Sequence, residues 1–144
     1  MDDKTLLERE NKKKYLKRYR RNGVLVGRLE HKLEAVEARI QGVRSPSLSG
    51  MPRGGEPVTR EDLIADKVDL ERRIKRLKGK GETIRREILD IIDELDDWRY
   101  AEILEDFLIE EMDFSEIADK MNFTERHVIR LYGEAIDAVI LNRQ

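Results

Sequence analysis

Two stretches of this chain repeat apolar residues at alternating spacings of four and three, the spacing of the contact seam between paired helices. In the first, from Tyr15 to Ile40, seven of eight seam positions are apolar or aromatic, and in the second, from Leu63 to Leu95, eight of ten are apolar. Such a chain is predicted to fold as long helices that pair lengthwise. The seam positions are Tyr15, Tyr19, Asn22, Val26, Leu29, Leu33, Val36 and Ile40, and then Leu63, Lys67, Leu70, Ile74, Leu77, Gly81, Ile84, Ile88, Ile91 and Leu95.

A segment rich in Gly, Pro and Ser separates the two seams and predicts a flexible loop at residues 42–58. Thr59 follows it, placed to cap the second helix, with an acidic residue, Asp62, three positions on. Two helices of similar length on either side of a loop should fold back antiparallel, with Leu33 beside Leu70. Residues 1–96 are therefore predicted to form an antiparallel two-helix coiled-coil hairpin.

One level of this hairpin is poor in side chains. The register sets Asn22 opposite Gly81, with Gly23 and Gly79 close by. Glycine inside a helix costs about 1 kcal/mol relative to Ala, so this level is expected to be a weak layer. Two interpretations remain open, a hinge and a close helix approach without motion.

Composition agrees with an all-α fold and narrows the functional classes. Charged residues make up 42% of the chain, with three prolines, which is typical of helices with broad solvated faces. There is no cysteine, so disulfides, thiolate metal sites and a cysteine nucleophile are excluded. No apolar run approaches the roughly 20 residues that cross a bilayer, and the start of the chain lacks signal-peptide character. We expect a cytoplasmic protein without cofactor or metal.

Charge is distributed unevenly. Residues 1–96 hold 24 Lys and Arg against 19 Asp and Glu, whereas residues 97–144 hold 5 against 12. A basic block near the N-terminus is a candidate for phosphate contacts, although a solvated helix face explains it equally simply. Its candidate contacts are Lys12, Lys13, Lys14, Lys17, Arg18, Arg20 and Arg21.

The last third of the chain has the order of a helix-turn-helix. A first helix is predicted from Trp98 to Leu108, with Trp98 packed at the junction to the hairpin, and a second from Phe114 to Met121. Asn122 tolerates the left-handed backbone that a tight turn needs, and Thr124 is placed to cap a third helix reaching residue 140. Residues 97–144 are thus predicted to form a small helix-turn-helix domain.

The segment from Phe114 to Arg130, FSEIADKMNFTERHVIR, is similar to the promoter-binding fourth region of primary sigma factors. With the run ERHVIRLYGEA at 125–135, the preceding hairpin and the SGMPR loop at 49–53, the chain also resembles a phage family of transcriptional regulators related to the ArpU and RinA regulators of late genes. The resemblance implies binding to double-stranded DNA upstream of a phage promoter, in a bacterial host cell, with contact to host RNA polymerase as a further option.

The resemblance also implies a set of DNA-binding residues. Thr124 would cap the recognition helix and meet a phosphate, with His127 facing solvent or phosphate. Where the sigma motif has base-reading arginines, this chain has Glu125 and Ile129. Glu125 is suited to accept from a cytosine amino group, and Arg130 to pair with guanine. The residues expected to line the DNA interface are Thr124, Glu125, Arg126, His127, Ile129 and Arg130.

Other interpretations remain beside this one. The acidic helices suit an adaptor that engages RNA polymerase or a sigma factor without reading bases, and the seams suit a coiled-coil assembly protein or a homodimer through the hairpin. Catalysis is not expected, because the chain has no glycine-rich phosphate loop, no metal-ligand spacing, and only His31 and His127 as histidines.

Overall fold

The computed structural model describes residues 2–42 and 58–141, and within them the protein is all-α, as the sequence predicts. The predicted loop falls almost entirely on residues outside these ranges. The described part contains six helices, α1 (Asp3–Leu16), α2 (Arg18–Gly42), α3 (Arg60–Asp93), α4 (Trp98–Leu108), α5 (Phe114–Met121) and α6 (Glu125–Ala138).

Capping explains where several helices begin. Asp2 caps α1 by accepting from the backbone N–H of Thr5 at 2.8 Å. The predicted start of α3 is confirmed, since Thr59 Oγ1 accepts from the Asp62 N–H at 3.1 Å while the Thr59 N–H donates to the Asp62 carboxylate at 3.1 Å. These side chains satisfy N–H groups that have no partner inside the helix.

A break at Lys17 divides what the seam predicted as one continuous helix. Arg18 Nε donates to the Tyr15 carbonyl oxygen at 2.9 Å, so a side chain takes an acceptor of the helix at this point. The two segments are α1 and α2, and the predicted seam runs across the break from Tyr15 to Tyr19.

The chain divides into two compact units. The terminal unit comprises Met1–Asn22 with Gly81–Gln144, and the middle unit comprises Gly23–Lys80. This division differs from the boundary expected between residues 96 and 97. The reason is that α1 and the last turns of α3 share one core with α4, α5 and α6, so both ends of the predicted hairpin belong to the terminal unit.

The middle unit contains parts of α2 and α3 that pack along the predicted seams. Its cluster of buried residues, Val26 and Leu29 with Leu70 and Ile74, is extended by half-buried seam residues of both helices, Leu33, Val36 and Leu77. Glu30 pairs with Lys78, and residues 32–39 lie beside residues 66–73. Residue numbers that increase along α2 are matched by decreasing residue numbers along α3, so within this unit the two helices run antiparallel.

The terminal unit holds the larger core. Leu16 of α1, Ile88 of α3 and Leu104 of α4 are fully buried in it. The sequence seam named Ile91 as a core position, but Ile92 is the fully buried residue and Ile91 is only half-buried. Ile88 and Ile92 are four residues apart and lie on the face of α3 that packs against the C-terminal helices. The end of α3 therefore departs from the coiled-coil spacing, which would have buried Ile88 and Ile91.

Asn22 and Gly81 are brought together as the register predicted. Gly81 is buried, and a Cβ atom added to it would lie 2.4 Å from the Asn22 side-chain oxygen. Asn22 itself is 8% exposed. The close approach interpretation of this level therefore has a direct structural basis, because a methyl group at position 81 would collide with the Asn22 amide.

Trp98 is the clearest failure of the sequence reasoning. Its side chain is 68% exposed and does not pack at a junction. Asp97 caps α4 by accepting from the Arg99 N–H at 2.9 Å, so Trp98 is the first residue of the helix. The buried face of α4 passes through Ile103, Leu104 and Phe107, and the helical rotation carries Trp98 away from it.

Candidate nucleic-acid interface

Two short helices and the turn between them position the candidate interface. A reciprocal capping box between Asp113 and Glu116 starts α5. Asn122 ends it in the left-handed region at φ 58° and ψ 40°, as the sequence predicted. Two residues later Thr124 caps α6, its hydroxyl accepting from the His127 N–H at 3.1 Å. These caps account for the predicted bounds of α5 and the start of α6; α6 ends at Ala138, two residues earlier than predicted.

One face of α6 is held in the terminal core. Val128 and Leu131 are buried, at 0% and 2% exposure, and Ala135 and Ile136 continue the same face. On α5, Ile117 and the small Ala118 are buried against them. The Phe123 N–H donates to the Ala118 carbonyl at 3.0 Å and so closes the turn. This packing fixes the orientation of α6.

The opposite face of α6 is open to solvent. Thr124, Glu125, Arg126, Ile129 and Arg130 are all exposed, Ile129 at 47%. Five of the six residues that the sequence suggested for DNA contact line one surface depression, and Glu125 lies beside it. Those five are Thr124, Arg126, His127, Ile129 and Arg130.

His127 is placed differently from the expectation that it faces solvent or phosphate. It is half-buried, its ring standing edge-on to Phe123 with 4.9 Å between ring centroids. Arg130 Nη2 donates to His127 Nδ1 at 2.8 Å. His127 therefore supports Arg130 from within the face, and we regard it as a positioning residue.

The two arginines are not drawn toward the acidic helices. In residues 2–42 and 58–141, neither Arg126 nor Arg130 forms an ion pair with a carboxylate. Glu134, one helical turn after Arg130, accepts a hydrogen bond from the Tyr100 hydroxyl at 3.0 Å instead. Two guanidinium groups thus remain available on the outer face of α6.

The basic helix α1 packs against α6 at the other end of that face. Arg9 Nε donates to Asp137 Oδ1 at 2.8 Å, and its Nη2 contacts the second carboxylate oxygen. Lys12 Nζ donates to the Asp137 carbonyl oxygen at 3.1 Å. The Arg9 hydrogen bond holds the pKa of Asp137 below its usual value. The acidic end of the α6 face is therefore neutralised by α1.

The remaining candidates of the basic block divide into anchored and outward residues. Arg18 pairs with Glu87 at 2.8 Å, and Arg20 lies over the Phe107 ring with its guanidinium carbon 4.3 Å from the centroid. Arg21 donates to the Lys14 carbonyl oxygen at 2.7 Å, and the Lys17 ammonium lies 6.0 Å from the Phe107 centroid. Among the described residues, Lys13 pairs with Glu10 at 3.5 Å, and Lys14 is exposed. Lys12, Arg18 and Arg20 therefore anchor the block to other helices, while Lys13 and Lys14 are the residues left for phosphate contacts.

One ion cluster that ties α4 to α5 was missed by the sequence analysis. Lys120 Nζ donates to Glu102 at 2.7 Å and to both carboxylate oxygens of Asp106 at 3.0 Å, although Asp106 is 3% exposed. Burial raises the pKa of Asp106 despite the opposing hydrogen bond from Lys120. Asp106 follows Glu102 by one helical turn, so both carboxylates lie on one side of α4. This spacing is the feature of the sequence from which a pairing with a lysine could have been predicted.

The described residues give no sign of a metal site or a membrane span. No group of three acidic, His or Cys side chains in residues 2–42 and 58–141 is arranged to hold a metal ion. In the same ranges no helix combines the length and apolarity that crossing a bilayer requires. No known protein family, curated protein or solved structure matches this chain.

Proposed function

We propose that this protein is a DNA-binding transcriptional regulator of phage type, in which α5, the Asn122 turn and α6 act as a helix-turn-helix and α6 enters the major groove. In this proposal α2 and α3 form an antiparallel coiled-coil hairpin. The observation that carries it is the outer face of α6, where Arg126 and Arg130 stand exposed beside Ile129 and make no ion pair with any carboxylate of residues 2–42 and 58–141. Such a face offers hydrogen-bond donors to guanine and an apolar contact to a thymine methyl group.

The charge of α1 supports the same proposal. DNA binding is driven by Lys and Arg that displace counterions from phosphates, and residues 97–144 alone carry an acidic excess. Residues 1–22 hold nine Lys and Arg against four Asp and Glu and belong to the same compact unit. Phosphate contacts are therefore assigned to α1, chiefly Lys13 and Lys14, and base contacts to α6.

The test is binding of the purified chain to DNA fragments selected by retention from a random pool. Arg126→Ala and Arg130→Ala should each weaken binding to the selected site by about 1–3 kcal/mol and relax the preference at individual base pairs. Arg72→Ala is the matched control, because Arg72 is exposed on α3 and lies in the middle unit. If both α6 variants bind the selected DNA as tightly as this control, the proposal is wrong.

A second candidate, an adaptor that engages RNA polymerase or a sigma factor without reading bases, is favoured by Trp98. An indole that is 68% exposed beside acidic helices is an unusual surface feature and a frequent anchor in protein interfaces. Capture of purified polymerase should then fall with Trp98→Ala or Glu110→Ala and be unaffected by Arg126→Ala. If capture is unchanged in both of the first two variants, this candidate is excluded.

A further inference from the structure

A shallow groove runs between α2 and α3 in the middle unit, and its two walls differ in charge. Lys32 and Arg39 line the α2 side, whereas Asp66, Asp69 and Arg73 line the α3 side, which has an acidic excess. The floor is formed by Ala35 and two hydrophobic residues of the seam, Val36 and Leu70.

The basic wall extends along α2. Leu25, Lys32 and Arg39 are spaced by seven residues and so lie on one stripe of the helix, and Arg28 and Ala35 fall beside them. Leu25 is 51% exposed, which leaves an apolar side chain on this stripe without a neighbour to cover it. The stripe contains no acidic residue.

The acidic wall is formed by Asp66 and Asp69; at helical spacing on the same face of α3, Asp62 precedes them and Arg73 follows them. No ion pair crosses the groove within the described ranges, although a pair between the same helices forms elsewhere, between Glu30 and Lys78 at 3.8 Å. The groove charges are therefore unpaired within one chain.

The middle unit also buries little by itself. Five hydrophobic residues of α2 and α3 in this unit are below 9% exposure, and a pair of helices of this size has apolar surface on both sides of its seam. Those five are Val26, Leu29, Leu63, Leu70 and Ile74.

We propose that the groove is the contact surface for a second copy of this chain, and that the two middle units pair as a four-helix arrangement about a twofold axis parallel to the helices. This axis sets α2 of each copy over α3 of the other at the same level, so that Lys32 and Arg39 face the acidic wall of the partner. A twofold axis perpendicular to the helices would instead stack α2 on α2 and bring the basic stripes together. Charge thus selects the first arrangement.

The small side chain of Ala35 lies where the helices of the two copies approach most closely, and the contact covers Leu25, Val36 and Leu70. In one respect this inference rests on the proposed function: a dimer carries two copies of α6, so the bound DNA is expected to contain two half-sites related by twofold symmetry.

The decisive experiment measures the mass of the full chain in solution without DNA, by sedimentation equilibrium over a range of concentrations. We expect twice the chain mass of 17.0 kDa. The double variant Lys32→Glu with Arg39→Glu should raise the dissociation constant at least tenfold, and so should Asp66→Lys with Asp69→Lys. Combining all four substitutions should restore the dimer, because the complementary walls are then exchanged.

Ala35→Arg should also separate the copies, and Gln41→Arg is its matched control, since Gln41 is exposed and, nine residues from Lys32, lies on the opposite side of α2 from the groove. Circular dichroism of each variant establishes that the helices remain formed. A chain that is monomeric at every concentration, which would leave the groove to a different partner, overturns the proposal, and so does a dimer insensitive to both charge reversals. Because DNA is absent, either result leaves the DNA-binding proposal standing.

Discussion

Tyr132 brings a polar atom into the most apolar part of the terminal unit. Its ring packs against Phe107 and Phe114, with centroids 5.0 Å and 5.1 Å away, and its hydroxyl has no hydrogen-bond partner within residues 2–42 and 58–141. A buried hydroxyl without a partner costs about 1–3 kcal/mol in lost hydration. We therefore expect Tyr132→Phe to raise the free energy of unfolding by about 1 kcal/mol in urea titrations.

The control for this substitution is Tyr100→Phe, which removes a hydroxyl that does have a partner, Glu134. It should leave stability unchanged or slightly lower. Burial raises the pKa of Tyr132 to about 12 from an ordinary value of 10.0. Folded-state stability should therefore decline as the pH rises from 10 toward 12, and Tyr132→Phe should reduce that decline. If Tyr132→Phe is less stable than Tyr100→Phe at neutral pH, this explanation is wrong.

Within the described part of the chain, two residues other than glycine occupy the left-handed backbone region, Glu111 and Asn122, both at φ 58°. Asn tolerates this conformation because its short polar side chain can hydrogen-bond locally, whereas other residues with a Cβ atom lose about 1–2 kcal/mol. Asn122→Ala should lower the free energy of unfolding by about 1 kcal/mol, and Glu111→Gly should raise it by a similar amount. Both effects are measurable by thermal and urea unfolding, and equal responses at the two positions would contradict the backbone explanation.

At the scale of helices, local sequence signals predicted where helices begin and end better than they predicted which face each helix buries. The bounds of α5 and the start of α6 followed from Asn122 and Thr124, because caps and turn residues act through neighbours in the chain. The exposure of Trp98 and the burial of Ile92 depend on which distant helix covers each face. The seam rhythm describes two partners only, and here the end of α3 packs in a core with four other helices.

The candidate site shows the same division between local and distant determinants. The positions expected on the outer face of α6 came from the resemblance to the sigma motif, and they agree with the burial of Val128 and Leu131, since a helix that buries one stripe exposes the other. The contact between Arg9 and Asp137 joins residues 128 positions apart and has no local signature. The basic block was recognised in the sequence, but the structure was needed to separate the residues that contact other helices, such as Lys12 and Arg18, from exposed ones such as Lys14.

That contact provides a prediction for α1 as an element. The lowered pKa of Asp137 means that its interaction with Arg9 stabilises the folded state above the ordinary carboxyl pKa and is lost as the pH falls through the lower, folded value. At neutral pH, Asp137→Asn should make the backbone amides of α1 exchange with deuterium several-fold faster. The difference from the parent should shrink in acid, as the parent loses the same interaction.

Asp119→Asn serves as the control for that measurement, because Asp119 is exposed on α5 and makes no ion pair within the described part of the chain. Its α1 amides should exchange at the parental rate. If Asp137→Asn behaves in the same way, then the ion pair with Arg9 does not hold α1 in place, and the packing of Leu16 with the contact of Lys12 to the Asp137 backbone is sufficient.

For the molecule as a whole, the proposal of DNA binding has to account for a net charge of −2, because a polyanion repels negative charge. The proposed answer is a division of labour inside the terminal unit, in which α6 reads bases and α1 supplies phosphate contacts. The affinity for DNA falls with salt in proportion to the phosphates neutralised, with a slope of about 0.9 per contact on logarithmic axes. Lys13→Ala with Lys14→Ala should therefore lower that slope by up to about 2 and leave the preferred sequence unchanged.

The matched control removes the same charge from the middle unit, by Arg72→Ala with Lys75→Ala, both exposed on α3. Its slope should equal that of the parent, while Arg126→Ala should change the preferred sequence more than the slope. The three variants together distinguish the effects of total charge, of the charge on α1 and of base contacts on DNA binding. If the control lowers the slope as much as the α1 variant does, total charge rather than α1 governs the affinity, and the phosphate contacts assigned to Lys13 and Lys14 are wrong.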